Sequence, residues 1–141
     1  MAKKARGWYY SPKKSKPKIP EALKQEVETR ARDLVENHLK PEYVVTSPEN
    51  ERFNYITDIW VKWYRSYLYF CAMYRSTSPD ALSPEFEVRF ARLEYAGLGE
   101  SGEGLFHLAY MRHTGQWWEI FRDLPLQECL DTVRDLPHFR P

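Results

Sequence analysis

Residues 53–75 read FNYITDIWVKWYRSYLYFCAMYR, and this stretch decides the fold. Up to residue 64, aromatic and β-branched side chains recur with a period of two, which is typical of a β-strand. Residues 67–75 form a second such stretch after a break at Arg65-Ser66. The two stretches predict an antiparallel hairpin that is closed by a turn of two or four residues around Arg65-Ser66.

Pairing the two strands across this turn assigns every side chain to one of two sheet faces. The first face is apolar and is expected in the core: Thr57, Ile59, Val61 and Trp63 lie opposite Tyr74, Ala72, Phe70 and Leu68. The second face places Asp58, Trp60, Lys62 and Tyr64 opposite Met73, Cys71, Tyr69 and Tyr67. A solvated face of an antiparallel sheet carries polar residues. This aromatic second face must therefore be covered by another element or bind a partner.

A helix is predicted before the hairpin. Pro20 suits its first turn, and Pro41 is expected to end it near Lys40. Its apolar residues follow helical spacing: Leu23, Val27, Ala31, Leu34, Val35 and Leu39. Residues 41–51 are expected to form a loop that leads into the first strand.

Three further strands are predicted after the hairpin, at residues 85–95, 105–113 and 116–122. The first of them changes phase, which predicts a β-bulge near Phe90–Ala91. The glycine-rich residues 97–104 are expected to form a loop, and a short helix is expected between Pro125 and Pro137. Strands grouped between helices indicate an α+β fold, a five-stranded antiparallel meander with an N-terminal helix and a short C-terminal helix packed on it.

Charge divides the chain into a basic tail, residues 1–19, and a single domain, residues 20–141. Residues 1–18 contain seven basic residues and no acidic one, whereas the rest of the chain has a net charge of −6. The tail also contains three neighbouring aromatic residues, which either anchor it on the domain or contact a partner. The candidate partner-binding residues of the tail are Lys3, Lys4, Arg6, Trp8, Tyr9, Tyr10, Lys13, Lys14, Lys16 and Lys18.

Several classes of protein and site are not expected. Two cysteines are too few for a disulfide framework or a Cys-based zinc site. No apolar run approaches the roughly 18 residues of a membrane helix, and no secretory signal follows the basic start. We therefore expect a cytoplasmic protein without membrane contact, and we expect no metal, no cofactor and no catalytic residue.

The predicted last hairpin is rich in aromatic residues. Trp117 and Trp118 should point to opposite faces of the sheet by strand alternation, and Arg112 is expected beside Trp117. Asp58 and Glu119 lie inside predicted strands, and each is expected to pair with a strand cation such as Lys62 or Arg112.

These observations favour a non-enzymatic binding module that recognises a protein or a second copy of itself through the second face and the basic tail. One alternative is single-stranded nucleic acid, because exposed aromatic residues stack on bases while nearby cations hold phosphates. A second alternative is an enzyme or a small-ligand pocket between helix and sheet. The candidate partner-binding residues of the sheet are Trp60, Lys62, Tyr64, Tyr67, Tyr69, Arg75 and Arg89; Arg92 joins them if the bulge falls at Phe90.

Overall fold

The computed structural model describes residues 16–45, 54–76 and 84–141. The helical elements are α1 (Glu21–Leu34), a π-helical segment (Val35–Leu39), α2 (Lys40–Tyr43), α3 (Leu126–Asp135) and a 3₁₀ turn (Pro137–Phe139). The strands are β1 (Tyr55–Tyr64), β2 (Tyr67–Arg75), β3 (Glu85–Leu98), β4 (Gly104–Met111) and β5 (Trp117–Pro125). These strands form one antiparallel sheet in the order β1-β2-β3-β4-β5, which confirms the predicted α+β fold.

The core lies between the first face of the sheet and the helices. The apolar face predicted for the first helix is confirmed, because Val27, Ala31 and Leu34 are buried there. In α3, Leu130 and Val133 are buried and join the same core cluster. Full burial of such an aliphatic side chain contributes about 1.5–3 kcal/mol.

The expectation that Pro41 ends the first helix is wrong. Helical backbone continues through Pro41 to Tyr43, after the π-helical segment Val35–Leu39. In that segment the Lys40 N–H donates to the carbonyl of Val35, five residues back. Pro41 then falls in the first turn of α2, where its missing N–H and its ring are tolerated.

The predicted register of the β1–β2 hairpin is confirmed from Tyr64 opposite Tyr67 to Asp58 opposite Met73. The turn has two residues, and Arg65 adopts the left-handed φ of 56° that such a turn requires. Beyond Asp58 the prediction is wrong by one residue. A bulge at Thr57 makes Ile56, not Thr57, the partner of Tyr74.

The predicted bulge in β3 is confirmed. Phe70 of β2 pairs with Ala91 and Cys71 pairs with Arg89, so Phe90 is the extra residue. Both Phe90 and Ala91 are therefore turned to the buried side. The bulge also fixes the phase of the following residues and places Arg92 opposite Tyr69.

The hairpin between β3 and β4 is longer than predicted, and its loop is shorter. Gly97 and Leu98 belong to β3, and Gly104 begins β4. A second bulge near Gly97, where φ is 113°, lets the strand pairing continue past Tyr95.

The bounds of the last two strands also differ from prediction. β4 ends at Met111, because Arg112 and Gly115 close a turn through a backbone hydrogen bond of 2.9 Å. β5 continues beyond residue 122 to Pro125 with two register shifts against β4. Asp123 has a φ of 54° in this irregular part of the strand.

Candidate binding surface

The face of the sheet that points away from the helices is called the second face. Helix α1 contacts β1 and helix α3 contacts β4 and β5, and both pack on the first face. The two faces differ in accessibility at the end of β1. Tyr64 on the second face is 54% exposed, whereas its neighbour Trp63 on the first face is partly buried. The second face is not uniformly open, because Tyr69 and Cys71 are buried among their neighbours.

An arginine lies between two aromatic rings near the centre of the second face. The Arg92 guanidinium carbon is 4.7 Å from the Tyr67 ring centroid and 4.9 Å from that of Trp117. Tyr69 fills the space between these rings, at centroid distances of 5.9 and 5.7 Å from Tyr67 and Trp117. The guanidinium of Arg89 lies over Tyr69 at 4.7 Å. These five residues are called the aromatic–arginine cluster.

Stacking on the rings orients the arginines without using their N–H groups. Arg89 has a carboxylate partner, since Glu87 lies 3.6 Å away and also pairs with Lys62 at 2.9 Å. The hydrogen bond from Lys62 and the two nearby cations lower the pKa of the Glu87 carboxyl. Arg92 has no ion pair with any carboxylate in residues 16–45, 54–76 and 84–141. Its guanidinium fork is thus oriented by the two rings, and no described carboxylate occupies it.

The described part of the basic tail begins beside this cluster. Lys16 pairs with Glu94 at 2.8 Å and donates a hydrogen bond of 3.0 Å to the Tyr67 hydroxyl. These contacts raise the pKa of Lys16 above its usual value. Pro17 continues along a groove of about 270 Å³ whose lining includes His107 and Arg122. The tail therefore leads onto the second face next to Tyr67.

The structure brings some of the predicted site residues together and leaves others apart. Lys62, Tyr67, Tyr69 and Arg89 lie in or beside the aromatic–arginine cluster. Trp60 and Tyr64 lie on the same face along β1, and Arg75 lies at the far end of β2. Lys18 is exposed. The other tail candidates lie outside the described residues: Lys3, Lys4, Arg6, Trp8, Tyr9, Tyr10, Lys13 and Lys14.

The predicted stacking partner of Arg112 is wrong. Arg112 lies over Trp118 at 4.6 Å, whereas Trp117 stacks with Arg92 of β3. Met111 pairs with Trp117 across the β4–β5 hairpin, so Arg112 has the same phase as Trp118. The prediction that the two tryptophans point to opposite faces agrees with these contacts.

The prediction that each strand acid pairs with a strand cation is confirmed for Glu119 and is wrong for Asp58. Asp58 pairs with Lys40 of α2 at 3.3 Å, and Glu119 pairs with Arg122 of its own strand at 2.6 Å. The pairing of Asp58 with Lys40 could not be predicted, because neither the π-helical segment nor α2 was expected from the sequence.

One protein family has a model, described as a domain of unknown function (DUF3024), that matches residues 19–141. The chain belongs to the DUF3024 family. No curated protein and no solved structure matches the chain. The DUF3024 region includes all five described strands, both long helices and the whole aromatic–arginine cluster, and it begins just after Lys16.

The other groups of the DUF3024 region that could carry chemistry are its metal-ligating side chains and its two thiols. Across the described ranges, no three His, Cys, Asp or Glu side chains converge as a metal site requires. The described helices include none that is both long and apolar enough to cross a membrane. The thiols of Cys71 and Cys129 are free and buried, and burial raises their pKa values to about 11 and about 12. Such thiols are poor nucleophiles at neutral pH because few are ionised.

Proposed function

We propose that the chain is a non-enzymatic module that binds a protein partner on the second face, at the aromatic–arginine cluster. The observation that carries the proposal is Arg92, held between Tyr67 and Trp117 with no carboxylate partner among the described residues. Tyr, Trp and Arg are the residue types that dominate binding energy in protein interfaces. A carboxylate of the partner would pair with the Arg92 fork, and its apolar side chains would pack around the rings.

The basic tail supports an acidic partner. Residues 1–18 contain seven cations, and one of them, Lys16, contacts Glu94 and Tyr67 on the second face. A concentration of positive charge beside a binding surface accelerates encounter with an acidic protein more than it tightens the final complex. The tail would therefore attract the partner, and the cluster would hold it.

Two features favour a protein over single-stranded nucleic acid. Bases need open ring faces, but guanidinium groups already lie over Tyr67, Tyr69 and Trp117. In addition, Glu87 and Glu94 pair with cations of this face, which leaves fewer cations for the successive phosphates of a strand. Nucleic acid remains an outcome of the experiment below.

The alternative of a ligand pocket between helix and sheet has less support. Val27 and Ala31 of α1 are fully buried, as are Ile59 and Phe70 of the sheet, and all four belong to one core cluster. These side chains fill the space between the helix and the sheet, as in a packed core, and a ligand pocket would need that space to be empty.

Photocrosslinking in the cells that produce the protein tests the proposed function. A benzophenone amino acid is placed at residue 119, which lies on the second face beside the cluster but is not part of it, and in a matched variant at residue 118, on the other face. We expect a crosslinked species from residue 119 that protease destroys and nuclease does not. The Arg92→Gln change should reduce its yield about tenfold or more, as expected for a central interface arginine.

Residue 118 is the control because it is the neighbour in sequence and is 50% exposed. Equal crosslinking from both positions, a yield unaffected by Arg92→Gln, or an adduct that nuclease removes would each contradict the proposal. Circular dichroism of the Arg92→Gln variant checks that the sheet is intact.

A further inference from the structure

The outer edge of β1 is the feature that the proposed function leaves unused. β1 is the edge strand of the sheet, with β2 on its inner side. On its outer side, the only described backbone partner is Val45, whose N–H donates to the Ile56 carbonyl at 2.9 Å. Past the bulge at Thr57, the strand continues to Tyr64 with no further described backbone partner on that side.

The turn fixes which backbone groups of β1 point outward. In a two-residue hairpin the flanking residues, here Tyr64 and Tyr67, form a hydrogen-bonded pair. By alternation, the backbone groups of Ile59, Val61 and Trp63 point away from β2. The Ile59 N–H fits this pattern, because its hydrogen-bond acceptor is the Asp58 side chain at 2.9 Å instead of a β2 carbonyl.

The side chains of β1 are self-complementary in one antiparallel register. If Trp60 lies opposite Trp60 of a second copy, Asp58 of each copy lies opposite Lys62 of the other. Within one chain these two side chains also pair with Lys40 and Glu87, so each charge would be shared between a partner in its own chain and one in the second copy. On the first face, Ile59 then lies opposite Val61 in both directions. This register also pairs the outward backbone groups of Ile59 with those of Val61, as an antiparallel ladder requires.

The neighbouring registers lose this match. Centring the pair on Val61 places Trp60 opposite Lys62 and Asp58 opposite Tyr64. Centring it on Ile59 places Thr57, the bulged residue, opposite Val61. A register shifted by a single position would place residues whose backbone N–H and C=O point outward opposite residues whose groups point toward β2, so the two strands could not form a ladder of hydrogen bonds.

A groove beside the edge provides further contact area. It has a volume of about 260 Å³, and its floor includes Val35, Ile59 and Val61. Arg32 and Glu36 of the first helix line its margin. In a two-fold arrangement the helices of both copies would lie on the same side of the joined sheet, with one such groove on each side of the seam.

We propose that β1 pairs with β1 of a second copy of this chain, antiparallel and centred on Trp60, to form a continuous ten-stranded sheet. Reciprocal charge and apolar pairs argue for a second copy over an unrelated strand, which would supply only one side of the match. The Asp58–Lys62 pairs favour this register over the other registers of the same two strands. The two second faces would lie side by side, so the dimer does not depend on the partner that the cluster binds.

A charge exchange across the edge tests this proposal by sedimentation equilibrium. The wild-type chain is expected to dimerise. Asp58→Lys and Lys62→Asp should each weaken the dimer by about tenfold or more, because each creates two like-charge pairs across the strands. An equimolar mixture of the two variants should recover association, because Asp58→Lys then faces Lys62→Asp at one end and the native Lys62 faces the native Asp58 at the other.

Matched controls carry the same charge changes away from the edge, at exposed positions: Glu100→Lys and Arg140→Asp. They should dimerise as the wild type does. A monomeric wild type, single variants that dimerise normally, or a mixture that fails to recover would overturn the proposal. Recovery in the mixture also shows that both variants fold.

A second measurement tests the register alone. The test uses a Cys71→Ala background, because the native thiol of Cys71 lies opposite residue 60 on β2. In this background Trp60→Cys places a thiol opposite its own copy at the two-fold axis, within reach of a disulfide in a non-hydrogen-bonded pair. Mild oxidation should yield a covalent dimer, and Lys62→Cys should not. Equal crosslinking by both variants would contradict the register.

Discussion

Phe70→Ala is expected to lower the free energy of unfolding by about 3–5 kcal/mol, the typical cost of emptying a buried phenylalanine site. Phe70 is fully buried in the middle of β2, and its ring centroid lies 6.1 Å from that of Phe90. It also pairs with Val61 and Ala91 on the neighbouring strands. Since a domain has about 5–15 kcal/mol in total, this one change removes a large part of the stability. Urea denaturation followed by circular dichroism measures the loss.

Phe86→Ala is the matched control on the adjacent strand. Phe86 is 40% exposed, and its main described contact is the stacked ring of Tyr74 at 5.5 Å. Losing this ring pair should cost only about 0.5–1.5 kcal/mol. Equal losses in the two variants would contradict the assignment of the first face to the core.

Both cysteines should react with thiol reagents at least about a hundredfold more slowly in the native protein than in the unfolded chain. Cys71 and Cys129 are fully buried, and burial raises their pKa values to about 11 and about 12. Two pKa units alone leave about a hundredfold fewer thiolates at neutral pH, and steric access slows the reaction further. Labelling with a chromogenic disulfide, with and without urea, measures the ratio.

The same pKa shifts give a sign for the pH dependence. Folding favours the neutral thiols, so their contribution to stability is fully present below the pKa of an unfolded thiol, about 8.5. It is lost as the pH rises through the raised values near 11 and 12. Rapid native labelling of either cysteine at neutral pH would contradict its burial and would reopen a role for thiol chemistry.

The hairpin could be predicted from sequence because two patterns had to agree. The period of β1 and the period of β2 place their apolar residues on one face only in a register that runs from Tyr64 opposite Tyr67. The bulge at Phe90 was visible for the same reason, since the apolar phase of β3 changes there. The bulge at Thr57 was not visible, because Ile56 and Thr57 both suit a strand and either can lie opposite Tyr74.

The first helix shows where local rules failed. A proline normally ends the helix before it, and nothing in residues 35–40 indicates a π-helical segment. This wider turn brings the Lys40 N–H to Val35 and allows the helix to pass Pro41. Because the helix continues in this way, Lys40 lies 3.3 Å from Asp58 of the sheet and pairs with it.

The candidate surface was predicted in outline and missed at its centre. Strand alternation identified Trp60, Tyr67 and Tyr69, which need only the first hairpin. The position of Arg92 between two rings depends on registers across three more strands, and the wrong phase for Arg112 hid its contact with Trp117. The composition of such a cluster depends on the registers between strands that are distant in sequence, and the local pattern of residues does not determine those registers.

Oxidative footprinting of the second face tests the central claim most directly, because it asks whether the chain's own tail occupies the surface. Hydroxyl-radical oxidation of Tyr64 and Trp117 is compared between the full chain and a chain without residues 1–15, with Trp118 on the other face as the reference. We expect the same oxidation rates in both chains, because a face that binds a foreign partner must be free of the chain's own tail. Tyr64 and Trp117 that are protected in the full chain and several-fold more reactive after the deletion would show that the tail covers the face, and would contradict the account.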